Sequence, residues 1–264
     1  MNENSTVQPE VMIVLVNWNR YRDTLACLDS LRKMDYPNFF VVVCDNGSQD
    51  DSVERFRMWA EEQNVAYRKF SAEELAQISL DKPQCGSLTC LAGVVNRGFA
   101  AANNWALQYA LRLRSVQYVW LLNNDTVVDT AALRELVHAA GQDSSVGMCG
   151  STVLRMDRPD TVQCMGGGRY DYWTGRTRHI GDGSRWFPPA DDETSHLRSQ
   201  SGMDFVYGAS MLVSCPFLRD IGLMSEDYFL YFEELDWAQR ARGRYSLGYA
   251  PRSVIWHKEG ASIS

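Results

Sequence analysis

The sequence predicts an α/β fold built on a mostly parallel central sheet. In the first half, short apolar, β-branched runs alternate with amphipathic helical patterns, the rhythm of a doubly wound architecture. From Ser151 that rhythm breaks. Residues 153–203 are rich in Gly, Arg and aromatics, which predicts hairpins and loops on one side of the sheet. A chain of 264 residues can bury a sizeable core, and no linker is visible, so one domain spanning 1–264 is expected, with a ligand-binding half (11–125) followed by a second half (126–264).

In order, Val11–Val16 is a buried strand, Arg20–Met34 an amphipathic helix, Phe39–Cys44 a strand and Asp51–Gln63 a helix. Val65–Phe70 is a third strand, and Ser71–Leu91 has no clear period. Phe99–Arg114 (helix), Val116–Leu122 (strand), Thr130–Ala140 (helix) and Val146–Gly150 (strand) continue the alternation. Gly166, Gly167 and Gly168 mark sharp backbone turns. Helices are expected at Phe217–Gly222 and Glu233–Arg242, and Val254–His257 near the end is apolar up to its histidine.

The net charge of −7 argues against a nucleic-acid partner, which requires a basic face to displace counterions. Small anionic ligands need only a local cluster of donors, and the arginine-over-lysine bias either suits diphosphates and carboxylates or reflects the base composition of the genome. Seven cysteines without a Cys-x-x-Cys pair or a zinc spacing imply a reducing compartment, with Cys44 and Cys149 as small core residues. Met1–Glu10 is polar and Val11–Val16 is too short for a signal-peptide core or a membrane span, so a soluble protein is expected, with peripheral membrane contact left open.

In an open parallel sheet, ligands bind outside the carboxyl ends of the strands. The residues there are polar: Asn17-Trp18-Asn19, Asp45-Asn46-Gly47-Ser48 and Asn123-Asn124-Asp125. Asp45 either accepts hydrogen bonds from a pyrimidine imide or a ribose, or ends its strand in an Asx-turn. Asn96-Arg97-Gly98-Phe99, followed by Asn103-Asn104, places a glycine loop before a helix whose amides can face an anionic or ribosyl group; an ordinary N-terminal loop is the plainer reading. No G-x-G-x-x-G follows the first strand, which speaks against a dinucleotide dehydrogenase. Asp125, flanked by amides, suits Mg²⁺ or Mn²⁺ shared with substrate phosphates, or is simply a turn residue. Asp227–Trp237 sets Glu233, Glu234 and Asp236 at a helix start after an aromatic run. Clustered carboxylates raise one another's pKa toward the range of a general base, whereas a structural role would use the helix N-terminus and an Asp236–Arg240 pair. Tyr228, Tyr231 and Trp237 offer flat faces to a sugar or belong to the core. His257 stands at an apparent strand end, where a lone histidine is commonly structural.

Taken in order, these motifs resemble glycosyltransferase family 2, particularly its bacterial rhamnosyltransferase-like branch. The ordered set also includes Gly208-Ala209-Ser210, Phe229-Leu230-Tyr231-Phe232-Glu233-Glu234-Leu235-Asp236 and His257-Lys258. The resemblance covers nearly the whole chain and implies the GT-A fold. It implies that Asp45 recognises uracil or thymine, helped by the backbone near Asn17, and that Asn123-Asn124-Asp125 stands at the D-x-D-like motif. Asp125 would then be a metal ligand and His257 the second, for Mn²⁺ or Mg²⁺, while Gly208 and Ala209 line the donor sugar. Trp18, Asn19, Asn46, Gly47, Asn96, Arg97, Gly98, Phe99 and Asn103 complete the expected donor side.

Relatives usually carry Asp where this chain has Glu234, which is assigned here as general base, with Asp236 as second choice. The expected activity is inverting transfer of one sugar from a UDP- or dTDP-sugar, dTDP-rhamnose among the candidates, to a saccharide or lipid-linked saccharide of a bacterial envelope. One sugar per acceptor follows from the missing Q-x-x-R-W motif of processive relatives, and a cytoplasmic location at the inner membrane face from the relatives' role. The chain stops soon after His257, where relatives usually continue. The alternatives are a non-catalytic nucleotide-sugar binding subunit of a polysaccharide assembly complex and a nucleotidyltransferase that releases pyrophosphate.

Overall fold

A computed structural model describes residues 8–72, 74–75, 81–189 and 202–258. The expectations for most of the polar N-terminus, and for parts of the 71–91 and 153–203 segments, lie outside the described residues. Strand β1 (Glu10–Asn17) is flanked by β2 (Phe39–Asp45) and β5 (Val116–Asn123), both parallel to it. Its side chains alternate between two cores, as the two-residue period of a strand requires. Met12 and Val14 face one layer, and Val11, Ile13 and Leu15 face the other. Burial of each such side chain contributes about 1.5–3 kcal/mol, and helices cover both faces. Helices α1 (Tyr21–Leu31), α2 (Ser52–Glu62) and α4 (Ala132–Gly141) pack on one side; α3 (Phe99–Arg112), α5 (Cys215–Ile221) and α6 (Glu233–Ala241) pack on the other.

The ten-stranded sheet has the path β3-β4-β2-β1-β5-β12-β7-β13-β6, with β8 (Val162–Met165) added to β7 (Val146–Arg155). Here β3 is Tyr67–Ser71, β6 is Thr126–Val128 and β13 is Ser246–His257. The expected first-half elements are present, with the ends of α1 and α3 drawn in by a few residues. Strand β4 (Leu88–Ala92) lies in the stretch where no period is visible, and it separates β2 from β3. Only five residues long and buried over its first four, it has no alternation to detect. Strand β12 (Ser210–Ser214) inserts antiparallel between β5 and β7, pairing Ser210 with Leu122.

A separate sheet is formed by β9 (Gly167–Asp171), β10 (Arg176–His179) and β11 (Phe205–Val206), all antiparallel, in the region where hairpins are expected. Of the three consecutive glycines, Gly166 alone turns the backbone at positive φ. Gly167 and Gly168 lie in β9, where a Cβ on Gly167 would come within 1.9 Å of the Phe205 carbonyl oxygen. Close strand approach, rather than a turn, therefore explains those two. Cys44 and Cys149 are core residues, and no disulfide joins the described cysteines. Among the described residues, no helix is long and apolar enough to cross a membrane.

Candidate active site

The carboxyl ends of β1 and β2 carry a closed hydrogen-bond cluster. Asn17 Nδ2 donates to Asp45 Oδ1 (2.8 Å) and Ser48 Oγ (3.1 Å), and Ser48 Oγ donates to Asp45 Oδ1 (2.6 Å). The Ser48 amide donates to Asp45 Oδ2 (3.1 Å), so the carboxylate is held from two directions and Oδ2 retains acceptor capacity. Asn17 Oδ1 in turn accepts from Thr24 Oγ1 (2.8 Å), and Asn124 Nδ2 donates to Thr24 Oγ1 (2.8 Å), linking β1, α1 and the turn after β5. Asn19, at φ 54°, accepts from the Gln49 amide, and Trp18 is exposed beside it.

A second cluster follows directly, because the Asn46 amide donates to the Asn17 carbonyl (2.8 Å). Asn46 Nδ2 donates to Asn96 Oδ1 (2.8 Å) and the Gly98 carbonyl, while the Arg97 amide donates to Asn46 Oδ1 (3.0 Å). Gly47 must be a glycine: φ is +74°, and a Cβ would lie 2.6 Å from the Val95 backbone. At Gly98, φ +88°, a Cβ would meet the Phe229 carbonyl oxygen at 2.5 Å, and the neighbouring Phe99 amide donates to that oxygen (3.1 Å). The loop before α3 is thereby tied to the aromatic segment before α6.

Pairing of β13 with β6 sets His257 opposite Thr126 and brings it to Asp125. His257 Nε2 lies 3.1 Å from Asp125 Oδ1, yet both buried oxygens of Asp125 accept no hydrogen bond. Asn123 Nδ2 donates to His257 Nε2 (3.2 Å), and His257 Nδ1 lies 3.0 Å from Gln163 Oε1. This pattern puts the proton on Nδ1 and leaves the Nε2 lone pair beside a carboxylate oxygen. Two such lone-pair-bearing atoms repel unless a cation lies between them. The residues therefore fit a divalent ion bound through one carboxylate and one imidazole, with Gln163 Oε1 accepting from the other ring nitrogen and so orienting the histidine. Among the described residues, no group of three or more His, Cys, Asp or Glu could hold a metal, so further ligands would come from substrate or water.

Asn123, His257, Gly208, Ala209 and Glu234 line one cavity of about 580 Å³ with Phe99, Tyr207 and the aromatic segment Leu230–Phe232. The insertion of β12 places Ala209 there, its carbonyl accepting from the Asn123 amide (3.1 Å). Tyr231 and Phe232 both adopt positive φ (74° and 72°), uncommon for aromatics, immediately before Glu233 and Glu234 enter α6. A Cβ on Gly208 would stand 1.9 Å from Glu234 Oε1, so the glycine makes room for that carboxylate. Burial, reinforced by the neighbouring Glu233 charge, holds Glu234 well above the usual carboxylate range, and burial raises Glu233 as well.

The structure separates two candidates from this group. Asp236 is paired with Arg240 (2.8 Å) and lies outside the cavity lining, because residues two apart on a helix do not share a face. Asn103 is buried and donates to the Phe99 carbonyl within its own helix (3.0 Å). Sequence reading missed Gln163, Thr177, His179 and Tyr207. Gln163 Nε2 donates to Tyr207 Oη (3.1 Å), and the His179 ring packs against Tyr207 at 4.3 Å between centroids, tilted by 50°, with burial lowering the pKa of His179. These residues come from the hairpin region, where no periodicity singles out a position.

A polar rim at the strand ends of a mixed sheet, with a smaller antiparallel sheet beside the cavity, is the architecture of GT-A glycosyltransferases. The Glycosyl transferase family 2 model matches residues 12–213, and the chain belongs to that family. A curated relative, the low-salt glycan biosynthesis hexosyltransferase Agl10 of Haloferax volcanii, is 24% identical over 148 residues, 56% of this chain and 44% of the relative. The solved mannosyltransferase PcManGT from Pyrobaculum calidifontis, in complex with GDP-Man and Mn²⁺, superposes with a TM-score of 0.64 at 19% identity, covering 98% of this chain and 59% of that one. GalNAc-T7 with UDP, GalNAc and Mn²⁺ gives 0.66 at 13% identity, over 97% and 44%. S. aureus TarS 1-349 in complex with UDP gives 0.60 at 13%, over 94% and 60%. The chain thus spans less than two thirds of the length of each of these proteins.

Proposed function

We propose that this protein is a metal-dependent, inverting glycosyltransferase that moves one sugar from a nucleotide-diphosphate donor to an acceptor hydroxyl. The observation that carries the reading is the buried Asp125 carboxylate, which accepts no hydrogen bond, beside a His257 that lines the same cavity as Glu234. Asp45 and its Asn17–Ser48 frame would hold a uracil or thymine base, and the Asn96–Phe99 loop the ribosyl side. The complexes of fold relatives with GDP-Man or UDP and Mn²⁺ support the donor class. Within it, UDP- and dTDP-sugars, including dTDP-rhamnose, are the candidates that a carboxylate facing a pyrimidine favours. A saccharide or lipid-linked saccharide of a bacterial envelope is the proposed acceptor.

Glu234 takes the proton of the acceptor hydroxyl, whose oxygen attacks the anomeric carbon from the face opposite the diphosphate. One carbon–oxygen bond forms as the bond to the diphosphate breaks, and the configuration inverts. Mn²⁺ or Mg²⁺ held by Asp125 and His257 would neutralise the charge of the departing diphosphate. The raised pKa of Glu234 fits a base that must both accept and release a proton near neutrality.

Thermal melts with UDP, dTDP, GDP and ADP, each with and without Mn²⁺, test the site. Ligand at 100 times its dissociation constant adds about 2.7 kcal/mol of stability. Stabilisation by UDP or dTDP that requires metal and disappears in Asp125→Asn is expected. Equal stabilisation of the Asp125→Asn variant would remove Asp125 from the metal site.

A further inference from the structure

Given the transferase reading proposed above, we infer that His179, aided by Thr177, recognises a hydroxyl of the sugar being transferred and so decides which donor the protein accepts. In an inverting displacement the attacking oxygen and the departing group lie on opposite faces of the sugar. The transferred sugar therefore occupies the space between the base, Glu234, and the diphosphate held at Asp125 and His257. Tyr207 stands beside that space. It directly precedes Gly208, where a Cβ would lie 1.9 Å from Glu234 Oε1, and its ring is 6.1 Å from the His257 ring. The His179 ring packs against Tyr207, with 4.3 Å between centroids, and lines the same cavity as Glu234 and His257.

The imidazole is held in place while its nitrogens stay free. The Phe205 ring stands 6.5 Å from it, admitted by Gly168, which pairs with His179 across the strands and where a Cβ would lie 2.4 Å from that ring. Tyr207 is itself fixed, because its hydroxyl accepts from Gln163 Nε2 (3.1 Å) while Gln163 Oε1 lies 3.0 Å from His257 Nδ1. These contacts set His179 at a defined position relative to the metal-binding imidazole. Among the described residues, neither ring nitrogen of His179 has a hydrogen-bond partner. Burial lowers its pKa, and Asp182, which would favour the charged ring, is paired with Arg155 (2.7 Å). A neutral imidazole presents one donor and one acceptor, the complement of a sugar hydroxyl, which both donates and accepts. Thr177 lies two residues earlier on β10, hence on the same face, and lines the same cavity with a further hydroxyl.

Titration calorimetry with Mn²⁺ tests the inference without needing catalysis, comparing UDP with UDP-glucose and UDP-galactose, and dTDP with dTDP-rhamnose, in the parent, His179→Phe and His179→Gln. For the sugar nucleotide that the parent binds most tightly, His179→Phe should weaken binding about tenfold, the effect of one lost hydrogen bond, and leave the bare diphosphate within about twofold. Glutamine keeps a donor and an acceptor, so His179→Gln should recover most of the loss. Phenylalanine keeps a ring against Tyr207, so the melting temperature should hold. Deoxy analogues of that donor, taken position by position, should include one that costs the parent about tenfold and His179→Phe nothing. Equal weakening of diphosphate and sugar nucleotide, or of neither, overturns the inference, as does a loss confined to the acceptor KM. Absence of any metal-dependent diphosphate binding by the parent would overturn both the inference and the donor site beneath it.

Discussion

Replacing Gly208 by alanine isolates the position of Glu234 from the rest of the site. Gly208 does not occupy the left-handed region, so alanine adds no backbone strain there, only a methyl group. That methyl would stand 1.9 Å from Glu234 Oε1, against an ordinary contact of at least 3.4 Å, so the carboxylate must retreat by about 1.5 Å, the difference between the two. A misplacement of about 1 Å at a reacting group can cost on the order of 10²-fold in rate, which is about 2.7 kcal/mol of barrier. The assay is release of nucleoside diphosphate from donor in the presence of acceptor, with kcat and donor KM measured separately. A kcat about 10²-fold lower, with donor KM within a few-fold, is expected. The double variant Gly208→Ala/Glu234→Gln should be no slower than Glu234→Gln alone, because both changes remove the same function. A kcat within threefold of the parent would refute the reasoning, and a large rise in donor KM alone would mean that Gly208 makes room for the sugar instead.

Glu234→Gln should lower turnover by on the order of 10²- to 10⁴-fold while donor affinity, read by calorimetry, is kept. The same variant should melt higher than the parent at alkaline pH. A carboxyl whose folded-state pKa is raised contributes stability below its unfolded pKa and loses it as pH rises through the folded one, a loss that glutamine escapes. In the parent, turnover should rise with pH along a limb displaced above the ordinary carboxylate range, since the ionised form is the base; a limb near pH 4 would contradict the burial argument. Gln163→Leu should weaken Mn²⁺ binding by 10- to 100-fold, measured by titration calorimetry or electron paramagnetic resonance, because His257 Nδ1 loses its acceptor.

The strand ends were legible from sequence because a chain that leaves an apolar run for Asn17, Asp45 or Asn123 must do so at the sheet rim. The glycines at 47 and 98 were visible as loop residues, and the structure supplies the reason, contact with the Val95 and Phe229 backbones. Strand β4 was hidden because a short run buried at four of its five positions has neither alternation nor length to distinguish it. Gln163 gave no signal at all: one amide in an irregular segment acquires meaning only when His257, 94 residues away, folds against it.

The layered α/β order and the polar rim are legible in the linear chain because hydrophobic period and local turn chemistry act over a few residues, and the family because its motifs keep their order along the chain. Which side chains meet at the site is set by tertiary pairing alone. Pairing of β13 with β6 brings His257 to Asp125, and insertion of β12 carries Gly208 under Glu234. The helical period of α6 turns Asp236 toward Arg240 and away from the cavity. These are long-range registers, set by the burial of whole strands and helices, and no local pattern encodes them.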